Sequence, residues 1–443
     1  MRGRRHLRLA LLGLGTAIVP LDTAVNIAFP DITGSFRLPI AMIQWVVIAY
    51  LLTYASLLLA FGRIGDSYGH GRIFRLGLSW SVIAFLLCAA APTYDWLLFF
   101  RFLQGIGAAF VISASPALVT GLYPEERRGR ALGAFTMMFA IGSAAGPLLG
   151  GALVAHWGWP AVFWFRAPLA LLSVVFLRGL PAAPRRVAEP LDVPGAFLLA
   201  FGLAALLLLL NERRLLWALP LLSAALFALS GFVFWERRVS RPIVDLDLFR
   251  NRAFLFLNLA SAVVNLAAFA VLLFVPYYLV RLTRLPLAVS GAVLAASFLG
   301  MMLSSPLAGV LLERIAAHRL AALGAGLGGL GLILMGSLSP SLSFEWAAIL
   351  ASLLLQGAGL GLFQVAYMEV VMRALPRADR GVAGGLSMLT RTIGIVLGAT
   401  LLSLLFHAFA QEGFLAAFHA TFRLAGALSA AAATLILLRG RES

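Results

Sequence analysis

The chain has 443 residues, of which 62% are hydrophobic and only 12% charged, whereas a soluble fold carries about a quarter charged residues. Its net charge of +16 comes from 34 basic residues, all arginine. They sit in short segments between apolar runs and form no basic stripe interleaved with aromatics, which excludes nucleic acid as the expected partner. Those runs repeatedly reach the roughly 20 residues needed to cross a bilayer, so the chain reads as a polytopic membrane protein.

Fourteen membrane-spanning helices are predicted, near residues 8–30, 41–61, 73–91, 97–121, 131–155, 160–178, 194–210, 215–235, 253–280, 287–311, 319–338, 345–372, 382–407 and 417–438. The basic start, Met1 to Arg8, resembles a secretory leader, but the apolar stretch runs on to Pro30, contains Asp22 and has no small-residue cleavage site. It is therefore taken as the first span. With the N-terminus inside, most arginines fall in cytoplasmic segments, so the positive-inside rule predicts both termini in the cytoplasm. A single cysteine, Cys88, excludes an intrachain disulfide. The six histidines are scattered, with no metal-ligand spacing. Neither a Gly-x-x-x-x-Gly-Lys loop nor a catalytic constellation is found, so no cofactor, no metal and no enzyme activity are expected.

The chain repeats itself. Leu103-Gln-Gly-Ile-Gly107 recurs 252 residues later as Leu355-Gln-Gly-Ala-Gly359, and Pro124, Arg128, Gly129, Ala131, Gly133, Gly142 and Gly146 match Pro376, Arg380, Gly381, Ala383, Gly385, Gly394 and Gly398 in the same frame. Gly62 to Asp66 is echoed by Gly309 to Glu313. Six helices do not fill that offset, so the two purely aliphatic spans at 194–210 and 215–235 are read as an insertion. The expected fold is all-α: a six-helix bundle over residues 1–180, a linker with two inserted helices over 181–252, and a second six-helix bundle over 253–443. Parallel repeats of this kind place a substrate site at the midplane between two halves.

Five motifs carry a resemblance. They are Leu21-Asp-Thr-Ala-Val-Asn-Ile-Ala-Phe-Pro30, Gly62-Arg-Ile-Gly-Asp-Ser-Tyr-Gly-His-Gly-Arg72, Arg101-Phe-Leu-Gln-Gly-Ile-Gly107, Gly142-Ser-Ala-Ala-Gly-Pro-Leu-Leu-Gly-Gly151 and Trp159-Pro-Ala-Val-Phe-Trp-Phe-Arg-Ala-Pro168. Together, and over essentially the whole chain, they resemble the fourteen-span drug:proton antiporter family of the major facilitator superfamily. The resemblance implies a secondary transporter with that superfamily's fold. It also implies that Gly62, Asp66, Gly69 and Arg72 form a tight turn latching helix ends, and that Gly142, Gly146, Pro147, Gly150 and Gly151 form the antiporter motif of the fifth span. Arg391 resembles a family arginine with a gating or packing role. Where the family has Asn this chain has Arg166, which either alters substrate charge preference or snorkels outward.

The small face of Gly142, Gly146 and Gly150 invites close approach of another helix, and Gly300, Ser304 and Ala308 on the tenth span are predicted to meet it. An acid inside a span is by default a functional site with a partner to be found. Asp22 lies roughly 12 Å and Arg101 roughly 8 Å from the outer ends of their spans, at 1.5 Å per residue, so the two can pair, with Gln104 one turn further along. A proton-coupling role is expected for Asp22, Arg101 and Gln104; a permanent structural ion pair is the alternative. Arg101 has no counterpart in the repeat, where Leu353 stands. Glu369, four residues before Arg373, is either a second proton site or half of a local salt bridge. Asp31, Glu212 and Glu345 fall at outer ends and are expected to be solvated.

A cavity wall is suggested by Phe135, Met137, Met138, Met301, Met302, Met368 and Met388, with Asn26, Gln44, Asn265 and Gln364 as scattered polar groups. Such a wall suits varied apolar ligands. The expected function is proton-coupled export of lipophilic or amphipathic compounds, cations among them, from a cytoplasmic membrane, by a monomer whose other partners are protons and the lipid bilayer. Export of one dedicated lipid or secondary metabolite, and a non-transporting membrane scaffold or sensor, are the rival readings.

Overall fold

In lipid every backbone polar group must be satisfied within the chain, which leaves helices as the answer for spans this apolar. The structure, a computed structural model, describes residues 2–38, 42, 44–176, 192–211, 215–239, 242, 246–281, 287–338, 345–376 and 380–439; the side chains of Gln44 and Glu345, and the whole of Glu212, lie outside the described residues. Seventeen α-helices occur among them: α1 (Arg2–Ala17), α2 (Ala24–Ile27), α3 (Phe29–Phe36), α4 (Gln44–Tyr68), α5 (His70–Ala89), α6 (Tyr94–Gly121), α7 (Arg128–Trp157), α8 (Ala161–Trp164), α9 (Arg166–Phe176), α10 (Val193–Asn211), α11 (Leu215–Glu236), α12 (Arg252–Arg281), α13 (Leu287–Leu311), α14 (Ala317–Met335), α15 (Glu345–Ala374), α16 (Arg380–Phe409) and α17 (Phe414–Arg439). The described residues contain no β-strand.

Eleven helical segments among the described residues are long and apolar enough to cross a membrane. Three shorter apolar helices, Ala161–Phe176, Val193–Leu206 and Val382–Gly398, stand where the sixth, seventh and thirteenth spans are expected. The helices containing the last two run on, α10 to 19 residues and α16 to 30.

Two expected spans are interrupted. Pro20 has no N–H to donate and its ring crowds the preceding turn, so α1 stops at Ala17 and a 3-10 turn, Pro20–Thr23, follows before α2. Asp22 therefore sits in a break and not in a continuous helix. The sixth span is likewise split at Phe165, between α8 and α9, and Arg166 is the first residue of α9.

Contacts divide the chain into two units. The first holds Met1–Leu122, Ala145–Leu248 and Ala374–Leu389; the second holds Tyr123–Ala144, Phe249–Arg373 and Thr390–Ser443. Both α7 and α16 thus contribute to each unit. The repeated Gln-Gly-x-Gly segment does the same work in each. A Cβ on Gly105 would lie 2.8 Å from the carbonyl oxygen of Tyr50 on α4, and one on Gly107 would lie 3.2 Å from that of Gly77 on α5. In the second unit Gly357 is pressed in the same way against Ser297 on α13, and Gly359 against Gly324 and Gly328 on α14. Only a residue without a side chain allows such helix-to-helix approach.

α7 meets α13 through Gly129 and Gly133, N-terminal to the face the sequence suggested: a Cβ on Gly133 would stand 2.5 Å from the Ser305 carbonyl oxygen, and Gly129 closes on Gly309 and Leu312, while Gly300 closes on Leu354 and Ala358 of α15. Gly146 and Gly150 instead close on the first span, where a Cβ on Gly150 would be 3.1–3.2 Å from the backbone and Cβ of Ala24. α7 belongs to both units, with the division between Ala144 and Ala145, so its two ends pack on different neighbours. Gly151 faces open space. Pro147 lies inside α7, which continues past it.

Candidate functional site

In the first unit, the break in the first span presents Asp22 to α6 and α9. Arg101 on α6 donates from Nη1 to Asp22 Oδ1 at 2.6 Å and from Nη2 to Oδ2 at 2.8 Å, a bidentate pair. Its Nε donates to the Val46 carbonyl oxygen at 2.8 Å, and Nη1 also reaches Gln104 Oε1 at 2.9 Å. Gln104 Nε2 donates to Asp22 Oδ1 at 2.9 Å. Of the two expectations for Arg166, outward snorkelling is not what occurs. Its side chain is 0% exposed, and Nη1 donates to Asp22 Oδ1 at 2.8 Å while Nε donates to the Val162 carbonyl oxygen.

Apolar and polarisable groups close this cluster. The Arg101 guanidinium lies 4.5 Å from the Tyr50 ring centre, and that of Arg166 lies 4.4 Å from the Phe85 ring centre. Phe163 approaches both, at 5.8 and 5.5 Å. Cys88 points its thiol at Gln104 Oε1, 3.7 Å away. Arg101 is also 0% exposed, whereas the Asp22 side chain keeps 14% of its surface. Tyr50, Phe85, Phe163 and Cys88 were not recognisable as site residues in the sequence, where each is one more apolar or aromatic residue in a span.

The loop motif is arranged differently from the sequence expectation. Gly62 and Asp66 belong to α4, which runs to Tyr68; the turn is made by Gly69 alone, at φ 97°, a conformation side chains disfavour. Asp66 takes the N–H of Val382 at the start of α16 at 3.2 Å and pairs with His70 at 3.1 Å, while Arg72 is exposed. His70, the first residue of α5, and not Arg72 therefore joins Asp66 in the latch, because the turn at Gly69 folds it back toward the end of α4. In the second unit Glu313, the repeat counterpart of Asp66, accepts from Arg130 Nη2 at 2.8 Å near the start of α7. Arg130 and Val382 are themselves repeat equivalents, so the same latch is built twice with different donors.

Glu369 makes the local bridge, to Arg373 Nε at 2.6 Å, and in addition accepts from Arg128 Nε at 3.2 Å. Its side chain is 2% exposed while that of Arg373 is 62% exposed, so Arg128 is the buried partner. The Arg391 guanidinium stacks 4.3 Å from the Phe139 ring centre. Asp31 is half-buried and accepts the Trp159 N–H at 2.7 Å, which fixes the entry to α8.

Of the expected cavity residues, Phe135, Met301, Met368, Met388, Asn265 and Gln364 are buried, Met137, Met138 and Met302 are half-buried and Asn26 is exposed. Gln364 Nε2 donates to Asn265 Oδ1 at 2.8 Å. One helical turn away Tyr367 and Thr390 donate to Asn258 Oδ1 at 2.8 and 3.2 Å. This amide and hydroxyl group of the second unit is uncharged, in contrast to the cluster around Asp22, and the buried carboxylate of that unit, Glu369, lies further along α15.

Repeated helical units, helices long and apolar enough to cross a membrane, and a buried charge cluster at a broken span define a polytopic secondary-transporter architecture. The chain belongs to the Major Facilitator Superfamily, whose family model matches residues 12–236 and 255–443; it is a membrane-embedded, multi-pass transporter and not an enzyme. It is 31% identical to the multidrug resistance protein Stp of Mycobacterium tuberculosis (strain CDC 1551 / Oshkosh), over 91% of this chain and 76% of that one. It is 29% identical to the riboflavin transporter RibZ of Clostridioides difficile (strain 630), over 90% and 87%. Its fold is similar to the crystal structure of the human organic anion transporter MFSD10 (TETRAN), with a TM-score of 0.71, 17% identity and coverage of 98% and 99%.

Proposed function

We propose that the chain is a proton-coupled exporter of the fourteen-span drug:proton antiporter family, moving lipophilic or amphipathic compounds by alternating access. It works as a monomer in a cytoplasmic membrane with both termini in the cytoplasm, and the three shorter apolar helices count as spans. Two six-helix bundles flank the inserted helices α10 and α11. The observation that carries this reading is Asp22: a carboxylate in a helix break, satisfied by Arg101, Gln104 and Arg166 among apolar rings.

The geometry supports a coupling cycle. Asp22 Oδ1 accepts from three donors, and an oxygen that takes up a proton can no longer accept all of them. Protonation therefore requires a donor to withdraw, which ties the proton to movement of α6 or α9 against the first span. Gln104 can turn its amide to bond either form. Glu369 is assigned a holding role beside Arg128 and Arg373, and Gly62, Asp66 and Gly69 a latching one. A scaffold gains nothing from burying three charges around a break, which weighs against the non-transporting reading.

Export of one dedicated compound is the second reading, favoured by the relative named for riboflavin. The test is substrate-driven proton movement in proteoliposomes for wild type, Asp22→Asn and Glu369→Gln. Loss in Asp22→Asn alone is expected. Full coupling in Asp22→Asn refutes the proposal, and loss in Glu369→Gln alone moves the proton site to the second unit.

A further inference from the structure

The coupling reading accounts for one carboxylate and one guanidinium, and the cluster holds a second guanidinium. Asp22 contributes −1 and Arg101 and Arg166 +1 each, so the charges in mutual contact leave a net +1 in a setting where both arginine side chains are 0% exposed. Arg101 already satisfies the carboxylate through both of its terminal nitrogens. Arg166 is engaged through Nε and Nη1, but its Nη2 is buried without a hydrogen-bond partner among the described residues. A buried ion without a matched counter-charge is destabilising by several kcal/mol. A water molecule can satisfy the free N–H of Nη2, but it cannot balance the charge.

We propose that Arg166 is the recognition residue for an anionic group on the transported compound, an amphipathic molecule bearing a carboxylate that takes the free Nη2. The excess is a single charge, so a monoanion neutralises the cluster, whereas a phosphate dianion would overshoot it. Phe85 and Phe163 beside the guanidinium, and Tyr50 beside Arg101, offer apolar and aromatic surface to the rest of the ligand. The partly exposed Asp22 is the side from which the cluster is approached. The inference names the substrate class of the site proposed above and rests on that reading for its transport role. Binding itself is independent of a proton gradient.

The test uses three probes sharing one ring system: 2-naphthylacetate, its uncharged amide 2-naphthylacetamide, and 2-(2-naphthyl)ethylammonium. Their binding to the full chain in phosphatidylcholine nanodiscs is measured by calorimetry without a gradient. Wild type is expected to prefer the carboxylate over the amide by at least about tenfold, the range of a charge-assisted hydrogen bond, and to bind the ammonium most weakly. Arg166→Asn is expected to abolish that ratio and Arg166→Lys to restore most of it. A wild type that binds the amide or the ammonium as well as the carboxylate overturns the proposal without any variant. An Arg166→Asn protein that loses affinity for carboxylate and amide in equal proportion also overturns it, and assigns Arg166 a bracing role only. Carboxylate preference without proton-coupled flux would refute the exporter reading and leave this one standing.

Discussion

Replacing Asp22 by Asn keeps its volume and removes the only carboxylate that Arg101 and Arg166 touch among the described residues. Both guanidiniums stay buried, and the cluster goes from a net +1 to a net +2. Breaking a buried pair by removing one partner costs about 3–5 kcal/mol, and no solvent screening softens it at 0% exposure. Arg166→Asn acts in the opposite sense. It lowers the net charge to zero, which offsets the loss of two charge-assisted hydrogen bonds, to Asp22 and to the Val162 carbonyl, and some ring contact, so the expected net loss is about 1–2 kcal/mol. The double variant should fall between the two. Cys88, the only cysteine, is 0% exposed beside Gln104 and serves as a native reporter. Maleimide labelling in detergent, with closing fast relative to reaction, reads local opening. Asp22→Asn should label about two to three orders of magnitude faster than wild type, at 1.4 kcal/mol per tenfold. Equal acceleration by Arg166→Asn, or none by Asp22→Asn, refutes the charge-count reasoning.

Glu369→Gln leaves Arg128 with only its longer, 3.4 Å pair to Glu125 among the described residues, and Arg373 exposed; thermal unfolding in detergent should show a loss of about 1–3 kcal/mol, against at most about 0.5 for Arg373→Ala. Gly150→Leu drives a side chain into the backbone at Ala24 and should reduce folded yield with a penalty of about 1–3 kcal/mol or more, whereas Gly151→Leu points into open space and should match wild type by size-exclusion chromatography. Asp66→Asn should weaken the hold on the start of α16 and lower transport in vesicles, while Arg72→Ala, whose side chain is exposed, should leave transport intact.

Much of this was legible from residue pattern alone. Hydropathy marks the helices because lipid permits little else, and the Gln-Gly-x-Gly repeat is visible because both copies solve one packing problem. Asp22 and Arg101 stand out since charge in a span is rare. The break at Pro20 and the joint at Phe165 were hidden, because proline is tolerated in spans and its local effect depends on neighbours. Arg166 was ambiguous for the same reason: only the broken helix turns it inward toward Asp22. The partners of Gly146 and Gly150 depend on a crossing geometry that a one-dimensional pattern does not carry. Arg128 was seen as a repeat match and not as the partner of Glu369, since pairing across 241 residues leaves no local trace.

The symmetry of the framework makes its one chemical asymmetry informative. Gln104 and Gln356 are repeat equivalents next to equivalent glycines, yet Gln104 bonds Asp22 and Arg101 while Gln356 accepts from Ser297 at 2.6 Å. Leu353, buried, replaces Arg101. The second unit fills its interior instead with the neutral pairs Asn265–Gln364 and Asn258–Tyr367. Around the repeated glutamine, identical packing rules therefore carry charge in one unit and uncharged groups in the other, whose buried carboxylate, Glu369, stands further along α15 beside Arg128. Burying charge at this position has a cost that packing does not require, since the second unit packs there with Leu353. Such an asymmetry is what a coupling cycle needs: an ion-responsive unit whose breaks can shift, built on the same scaffold as a unit whose hydrogen bonds at the equivalent position are indifferent to protons. Introducing Arg at Leu353 should for that reason destabilise the fold, by the several kcal/mol of an unmatched buried cation, because Glu369 is already held by Arg128 and Arg373; an expressed, stable Leu353→Arg variant would show that a counter-charge stands within reach of position 353 and refute the asymmetry.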